Sequence, residues 1–184
     1  MPSYADSQRD FTEPGEDLPG FCQADTVVMG CGNRLLGDDG FGPALISYLR
    51  DYAPVPKRTV LLDAGTGISR LLFDMALSPS RPRRLIVVDA MRLGLPPGTV
   101  SVLPLDSFTT EHTRTFAEHQ EPTSCLLKEL RDLSGIEVTL LVAEPEFMPG
   151  EVSPGLSPAI QRAVLKAGRL IEPSLTQAHS YPSP

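Results

Sequence analysis

Short apolar runs alternate along the chain with stretches whose apolar residues recur about every 3.6 positions. Thr26 to Met29, Thr59 to Leu62, Leu85 to Val88 and Ile136 to Val142 are brief, β-branched and bounded by Gly, Pro or Asp, which predicts buried strands. Between them lie helical patterns: an amphipathic stretch ending near Tyr52, then Ile68, Leu71, Leu72 and Met75, then Leu126, Leu127, Leu130 and Leu133, and last Ile160, Val164, Ala167 and Ile171. Ser157 and Pro158 supply a cap and a first-turn proline for the last helix. Strand, helix, strand in repetition predicts an α/β fold. The expected form is a three-layer α/β/α sandwich, with a mostly parallel twisted sheet of about five strands and helices on both faces. Thr99 to Leu103 follows Leu85 to Val88 after a connection too short for a helical crossover, so an antiparallel addition is expected there. Pro104 to Pro122 has weak periodicity, and an irregular stretch of that length inside a domain points to function.

The ends depart from this pattern. Residues 1–24 carry three prolines among Ser, Asp and Glu, and residues 173–184 hold little that is apolar, so both read as flexible tails around one domain at 25–172. A chain of 184 residues with 41% hydrophobic content can bury one sizeable core. Its 16 Lys and Arg against 23 Asp and Glu give a net charge of -7, which opposes nonspecific binding to nucleic acid or to an anionic membrane. No run approaches the roughly 18 apolar residues of a membrane span, and the first residues lack the apolar core of a secretory signal. A cytoplasmic protein is expected. Cys22, Cys31 and Cys125 are odd in number and have no paired spacing, so free thiols are expected rather than disulfides or a metal knuckle.

Chemistry concentrates on the turn after the first strand, Gly30-Cys31-Gly32-Asn33-Arg34-Leu35-Leu36-Gly37-Asp38-Asp39-Gly40-Phe41-Gly42. Ligands of open parallel sheets collect at the carboxyl ends of strands. Asp38, just before a helix, reads as a cap, while Asp39 beside it is a candidate ligand. Asp63 closes the second strand and reads either as a site carboxylate or as a turn residue bonding to the backbone of Gly65 or Thr66. His119 lies in the irregular stretch before the Leu126-Leu127 helix. If the first two strands are neighbours, Asp39, Asp63 and His119 can meet at one end of the sheet, offering oxygen and nitrogen donors to a divalent ion. Asp89 ends the third strand in the same way and reads as site support or turn chemistry. His112 and His179 sit in polar surroundings. Other chemistries fit less well. Gly30-Cys31-Gly32 opens like a dinucleotide fingerprint, but Leu35 stands where the third glycine belongs. Cys31 with His119 suggests a thiol nucleophile without an orienting partner. No serine elbow or zincin motif occurs.

The spacing Gly-x-Gly-Asn-x-Leu-x-x-Asp-Asp-Gly-x-Gly, then Leu-Asp-Ala-Gly-Thr-Gly, then Val-Asp-Ala, then a His followed by Leu-Leu, resembles the hydrogenase maturation endopeptidases over roughly residues 25–172. Leu71 to Met75, His119 to Thr123 and Glu151 to Ser157 look most like the branch serving the deazaflavin-reducing hydrogenase of methanogenic archaea. The resemblance implies a peptide hydrolase that removes a C-terminal extension from the large-subunit precursor of a nickel-iron hydrogenase after metal loading. It implies catalytic and metal-contacting roles for Asp39, the second acid of the turn, for Asp63 and for His119. Two departures stand out: Pro122 replaces a glycine that many members place after the His, and the N-terminal extension has no counterpart in the family.

On this reading nickel is supplied by the substrate, and no cofactor is tightly bound to the free protein. Two carboxylates and an imidazole compete poorly for nickel against thiolates, so the protein would add ligands to a metal already held by cysteine sulfurs. The expected partner is the hydrogenase large-subunit precursor, with neither nucleic acid nor membrane, and a monomer is expected. The alternative is a non-enzymatic assembly factor that checks the loaded subunit with the same ligands.

Overall fold

The computed structural model describes residues 20–105 and 121–176. Five strands form one sheet: β1 (Thr26–Cys31), β2 (Thr59–Gly65), β3 (Arg84–Ala90), β4 (Val100–Pro104) and β5 (Glu137–Ala143). Their order is β2-β1-β3-β5-β4, parallel throughout except for β4, which runs antiparallel to β5. The antiparallel addition expected at Thr99 to Leu103 is therefore present as an edge strand ending at Pro104, a position where a missing N–H costs little. β1 is buried at every residue because it is central and covered on both faces, which is why its sequence shows no alternation. β2, at the other edge, is mostly half-buried.

Among the described residues four α-helices cover the sheet: α1 (Phe41–Tyr52), α2 (Ile68–Leu77), α3 (Glu121–Ser134) and α4 (Pro158–Thr176). α1 and α4 press Phe41, Leu45, Ile46, Leu49, Ile160 and Ala167 onto one face, against Val28, Ile86, Val88 and Leu141. α2 and α3 press Leu72, Met75, Leu127 and Leu130 onto the other, against Val27, Met29, Leu85, Val87 and Leu140. The result is the expected three-layer α/β/α sandwich. As expected from Ser157-Pro158, the Ser157 hydroxyl accepts the Ile160 N–H at 3.2 Å and caps α4.

The expected tail boundaries move outward at both ends. Residues Gly20–Gln23 form a 3-10 turn whose Cys22 is fully buried and whose Phe21 packs on the α2/α3 side of the core. At the other end α4 continues through Pro173 to Thr176, because Leu175 extends the buried stripe begun by Ala167 and Ile171. The rest of the expected tails, residues 1–19 and 177–184, lies outside the described residues, as does most of the irregular stretch, residues 106–120. No helix of the described residues is long and apolar enough to cross a membrane.

The topology also locates the site. The chain passes from β1 to β2 on one side, then returns across β1 to β3 on the other. Strand order thus reverses beside β1, the kind of position at which open α/β sheets place their ligands.

Candidate active site

The candidate site is built on the glycine-rich turn after β1. Gly32 has φ +113, a conformation that residues with a side chain rarely adopt, and a Cβ there would collide with the carbonyl of Asp39. Gly42 meets a different demand. Its missing side chain lets the first turn of α1 approach the backbone of Cys31 and Val88, where a Cβ would stand 2.6 Å from the Val88 carbonyl oxygen. Together these positions fold the turn back over the end of β1.

The two adjacent carboxylates of the turn have separate roles. Asp38 is fully buried. Its Oδ2 accepts the N–H groups of Glu146 and Phe147 at 2.8 Å each, and its Oδ1 accepts that of Ser157 at 2.7 Å. The cap reading of Asp38 is corrected here. A 3-10 turn over Gly37–Gly40 intervenes, α1 starts at Phe41 after Gly40, and no side chain caps it. Asp38 instead binds the segment before α4 to the turn. Backbone bonds reinforce that union: Gly37 N–H to Ser153 O at 2.9 Å, Ser153 N–H to Leu35 O at 2.8 Å, and Asp38 N–H to Phe147 O at 3.0 Å.

Asp39 is less engaged than its neighbour. Its Oδ2 accepts the Asn33 N–H at 2.6 Å, and its Oδ1 takes no hydrogen bond among the described residues. Partial burial raises its carboxyl above the ordinary value, an effect the Asn33 hydrogen bond partly offsets. Asp63 lies opposite Gly30 in the β1/β2 register, so the condition that the first two strands be neighbours is met. The turn reading of Asp63 is the one the hydrogen bonds display. Its Oδ1 accepts the Gly65 N–H at 3.2 Å, as a turn residue does, while its Oδ2 pairs with Arg34 at 2.9 Å. Asp89, nearly buried at the end of β3, accepts the Ala90 N–H at 2.8 Å.

These three carboxylates converge on Cys31. Burial pushes the Cys31 thiol well above its ordinary 9.0, and Asp89, Asp63 and Asp39 add to the rise in that order. A thiol so buried and surrounded by negative charge stays protonated, which removes the thiol-nucleophile alternative. Cys22 is free and buried as well. His119 and His112 fall within 106–120 and His179 within 177–184, so all three lie outside the described residues. Among the described residues no three His, Cys, Asp or Glu side chains form a group able to hold a metal ion. Asp39 and Asp63 are the described part of the expected trio.

Two contributors had no expected role. Arg34 donates from one guanidinium nitrogen to the Pro43 carbonyl at 2.7 Å, the Ser47 hydroxyl at 3.0 Å and Asp63 Oδ2 at 2.9 Å. Glu144, buried just past β5, accepts the Leu93 N–H at 2.6 Å and ties down the loop after β3. Position at the carboxyl end of a strand was the available signal for Glu144. Arg34 carried none, since nothing in its neighbourhood in the chain points to Asp63.

The family model described as hydrogenase maturation protease matches residues 43–174. A putative hydrogenase maturation protease of Methanocaldococcus jannaschii is 35% identical over 148 residues, covering 80% of this chain and 94% of that protein. The coenzyme F420 hydrogenase subunit delta of Methanothermobacter thermautotrophicus is 33% identical over 157 residues, covering 80% and 92%. Among solved structures, the hydrogenase maturating endopeptidase HybD from Escherichia coli superposes with a TM-score of 0.64 at 28% identity, covering 82% of this chain and 91% of that one.

Proposed function

The chain belongs to the hydrogenase maturation protease family, and from that premise we propose that it cuts the C-terminal extension from a nickel-loaded hydrogenase large-subunit precursor. Asp39, Asp63 and His119 would add ligands to a metal that the substrate brings, so that metal loading becomes a condition of recognition. The observation that supports this most is the division of the acid pair. Asp38 is consumed by three backbone N–H groups, while Asp39 keeps an oxygen without a hydrogen bond among the described residues, on the turn that follows β1, the strand beside the one that carries Asp63.

Attack by water fits the same residues. Cys31 and Cys22 are buried, and the Ser47 hydroxyl is engaged with Pro43 and Arg34. A divalent ion polarises a nearby peptide carbonyl, and a carboxylate whose proton affinity is raised is suited to take a proton from water and pass it to the leaving nitrogen. The family's endopeptidase activity displaces the assembly-factor alternative. The carboxylate-rich donor set suits a visiting metal better than a resident one, since hard oxygens hold nickel less firmly than the substrate's own thiolates.

The test is the intact mass of a large-subunit precursor, with and without nickel, after incubation with this protein. Loss of a C-terminal peptide from the loaded form alone is expected, and Asp39→Asn or His119→Ala should abolish it. Equal cutting of the unloaded form would refute metal-gated recognition, and full cutting by both variants would refute the site.

A further inference from the structure

Arg34 occupies the variable position inside Gly-x-Gly-Asn-x-Leu, and its placement is independent of Asp63. The Pro43 carbonyl and the Ser47 hydroxyl, both on the first turns of α1, hold the guanidinium at 2.7 and 3.0 Å. From there the same nitrogen reaches Asp63 Oδ2 at 2.9 Å. The pair is partly open to solvent, with side-chain exposures of 50% and 31%. Nε and Nη1 of Arg34 take no partner among the described residues. Among the described residues the guanidinium is thus anchored at one nitrogen and open along its other edge.

We propose that Arg34 is a built-in counter-ion that occupies Asp63 in the free enzyme and makes the site discriminate between a metal fixed in a partner's thiolates and a free divalent ion. The inference rests on the reading of Asp39 and Asp63 as ligands to a substrate-borne metal and adds how that site rejects the wrong metal source. Two carboxylates without a counter-charge would attract any dication in solution. With Arg34 present, a free ion must displace an existing ion pair and then sit beside a guanidinium. A thiolate-bound metal meets neither cost in full. Its positive charge is already offset by its sulfur ligands, and the open Nε and Nη1 edge offers N–H donors to those anionic sulfurs or to a nearby carbonyl. Arg34 is therefore a positioning and specificity residue acting through Asp63, with no bond to the reacting atoms required.

The experiment is calorimetric titration of the full chain with nickel chloride, comparing the parent with Arg34→Met and Arg34→Lys. Loss of the counter-charge should tighten binding of the free ion about tenfold in Arg34→Met. Arg34→Lys, which keeps the charge, should stay within about twofold of the parent. The gain should vanish in the double variant Arg34→Met with Asp63→Asn, which removes the oxygen being guarded. Cleavage of loaded precursor by Arg34→Met should in turn be inhibited by nickel chloride at about tenfold lower concentration than cleavage by the parent. Unchanged affinity in Arg34→Met, equal tightening in Arg34→Lys, or a gain that survives loss of Asp63 would each overturn the counter-ion role. Unaltered circular dichroism and thermal midpoint of Arg34→Met establish that the fold is intact. The two readings fail separately, because the titration requires no cleavage. A parent protein that leaves loaded precursor uncut would remove the proposed function while the titration still decides the role of Arg34.

Discussion

Replacing Asp38 tests whether the acid pair divides its labour as the hydrogen bonds indicate. Asp38 is fully buried and accepts three backbone N–H groups at 2.7 to 2.8 Å, from residues that lie 108, 109 and 119 positions away in the chain. A hydrogen bond to a charged group contributes about 1.5–3 kcal/mol, and a buried donor left unpaired costs about 1–3 kcal/mol. The three share one carboxylate and are not additive. Water can also reach part of the space left by truncation, so Asp38→Ala should lose roughly 3–5 kcal/mol. Asp38→Asn keeps the shape, and its single oxygen can serve Glu146 and Phe147, but its amide then faces the Ser157 N–H donor to donor. A loss of roughly 1–3 kcal/mol is expected for it. Urea unfolding measures both, with the midpoint falling and the slope unchanged. Amide exchange at Glu146, Phe147 and Ser157 should quicken in Asp38→Ala more than at residues of β1. Cleavage should weaken as well, because these bonds tie the segment before α4 to the turn that carries Asp39. An Asp38→Ala protein within about 1 kcal/mol of the parent, with those amides still protected, would refute the tethering role.

Three further outcomes follow from the same turn. Gly42→Ala drives a Cβ to within 2.6 Å of the Val88 carbonyl oxygen, against backbone on two strands that cannot yield cheaply, so a loss of about 1–3 kcal/mol is expected in thermal or urea unfolding. A parent-like midpoint would show that α1 can slide. Cys31→Ala should keep full cleavage, and in the parent the thiol should resist alkylation until the protein unfolds. Because burial raises its value in the folded state, the thiol's contribution to stability is complete below its ordinary 9.0 and lost as pH rises above it, where the unfolded thiol ionises first. Rapid alkylation of the folded protein at neutral pH would contradict this. Asp39 works in the carboxylate sense: burial makes its folded form hold the proton more tightly, so ionisation weakens the fold as pH climbs from the ordinary 3.8 through the raised value. Asp39→Asn should therefore abolish cleavage yet be no less stable than the parent at pH 7, and a clear drop in its melting temperature would overturn the desolvation argument.

Most of the scaffold was legible because it rests on local pattern. β1, β3 and β5 are buried on both faces and appear as short continuous apolar runs, while α2, α3 and α4 carry stripes at helical spacing. The antiparallel β4 followed from the length of one connection. What escaped was long-range. The three partners of Asp38 are more than 100 positions distant, and adjacency to a helix favoured the local cap reading over a bond that no window of sequence displays. Arg34 and Asp63 are 29 positions apart and meet only because β2 lies beside β1. The burial at the start of the domain was illegible for a related reason: Phe21 and Cys22 are too few to form a periodic pattern, yet Cys22 is fully buried and Phe21 packs against the core.

Adjacent carboxylates on one turn invite reading as a catalytic pair, and the burial of each argues otherwise. A fully buried carboxylate needs its oxygens satisfied, and Asp38 meets that need with three N–H groups from the segment before α4. That segment in turn bonds through Ser153 to Leu35 and Gly37, which bracket the turn from its other side. The turn is therefore held at both of its shoulders by a distant part of the chain. Asp39, one residue on, accepts a single N–H, so one of its oxygens takes no hydrogen bond among the described residues. Rigidity and availability are opposed demands on a single carboxylate, because each hydrogen bond that fixes an oxygen also lowers its capacity to accept a ligand or a proton. Two successive acids, one fully buried and tethered and one only partly buried, meet both demands, and the positive φ of Gly32 lets the chain fold back closely enough to bring Asp39 over the end of β1.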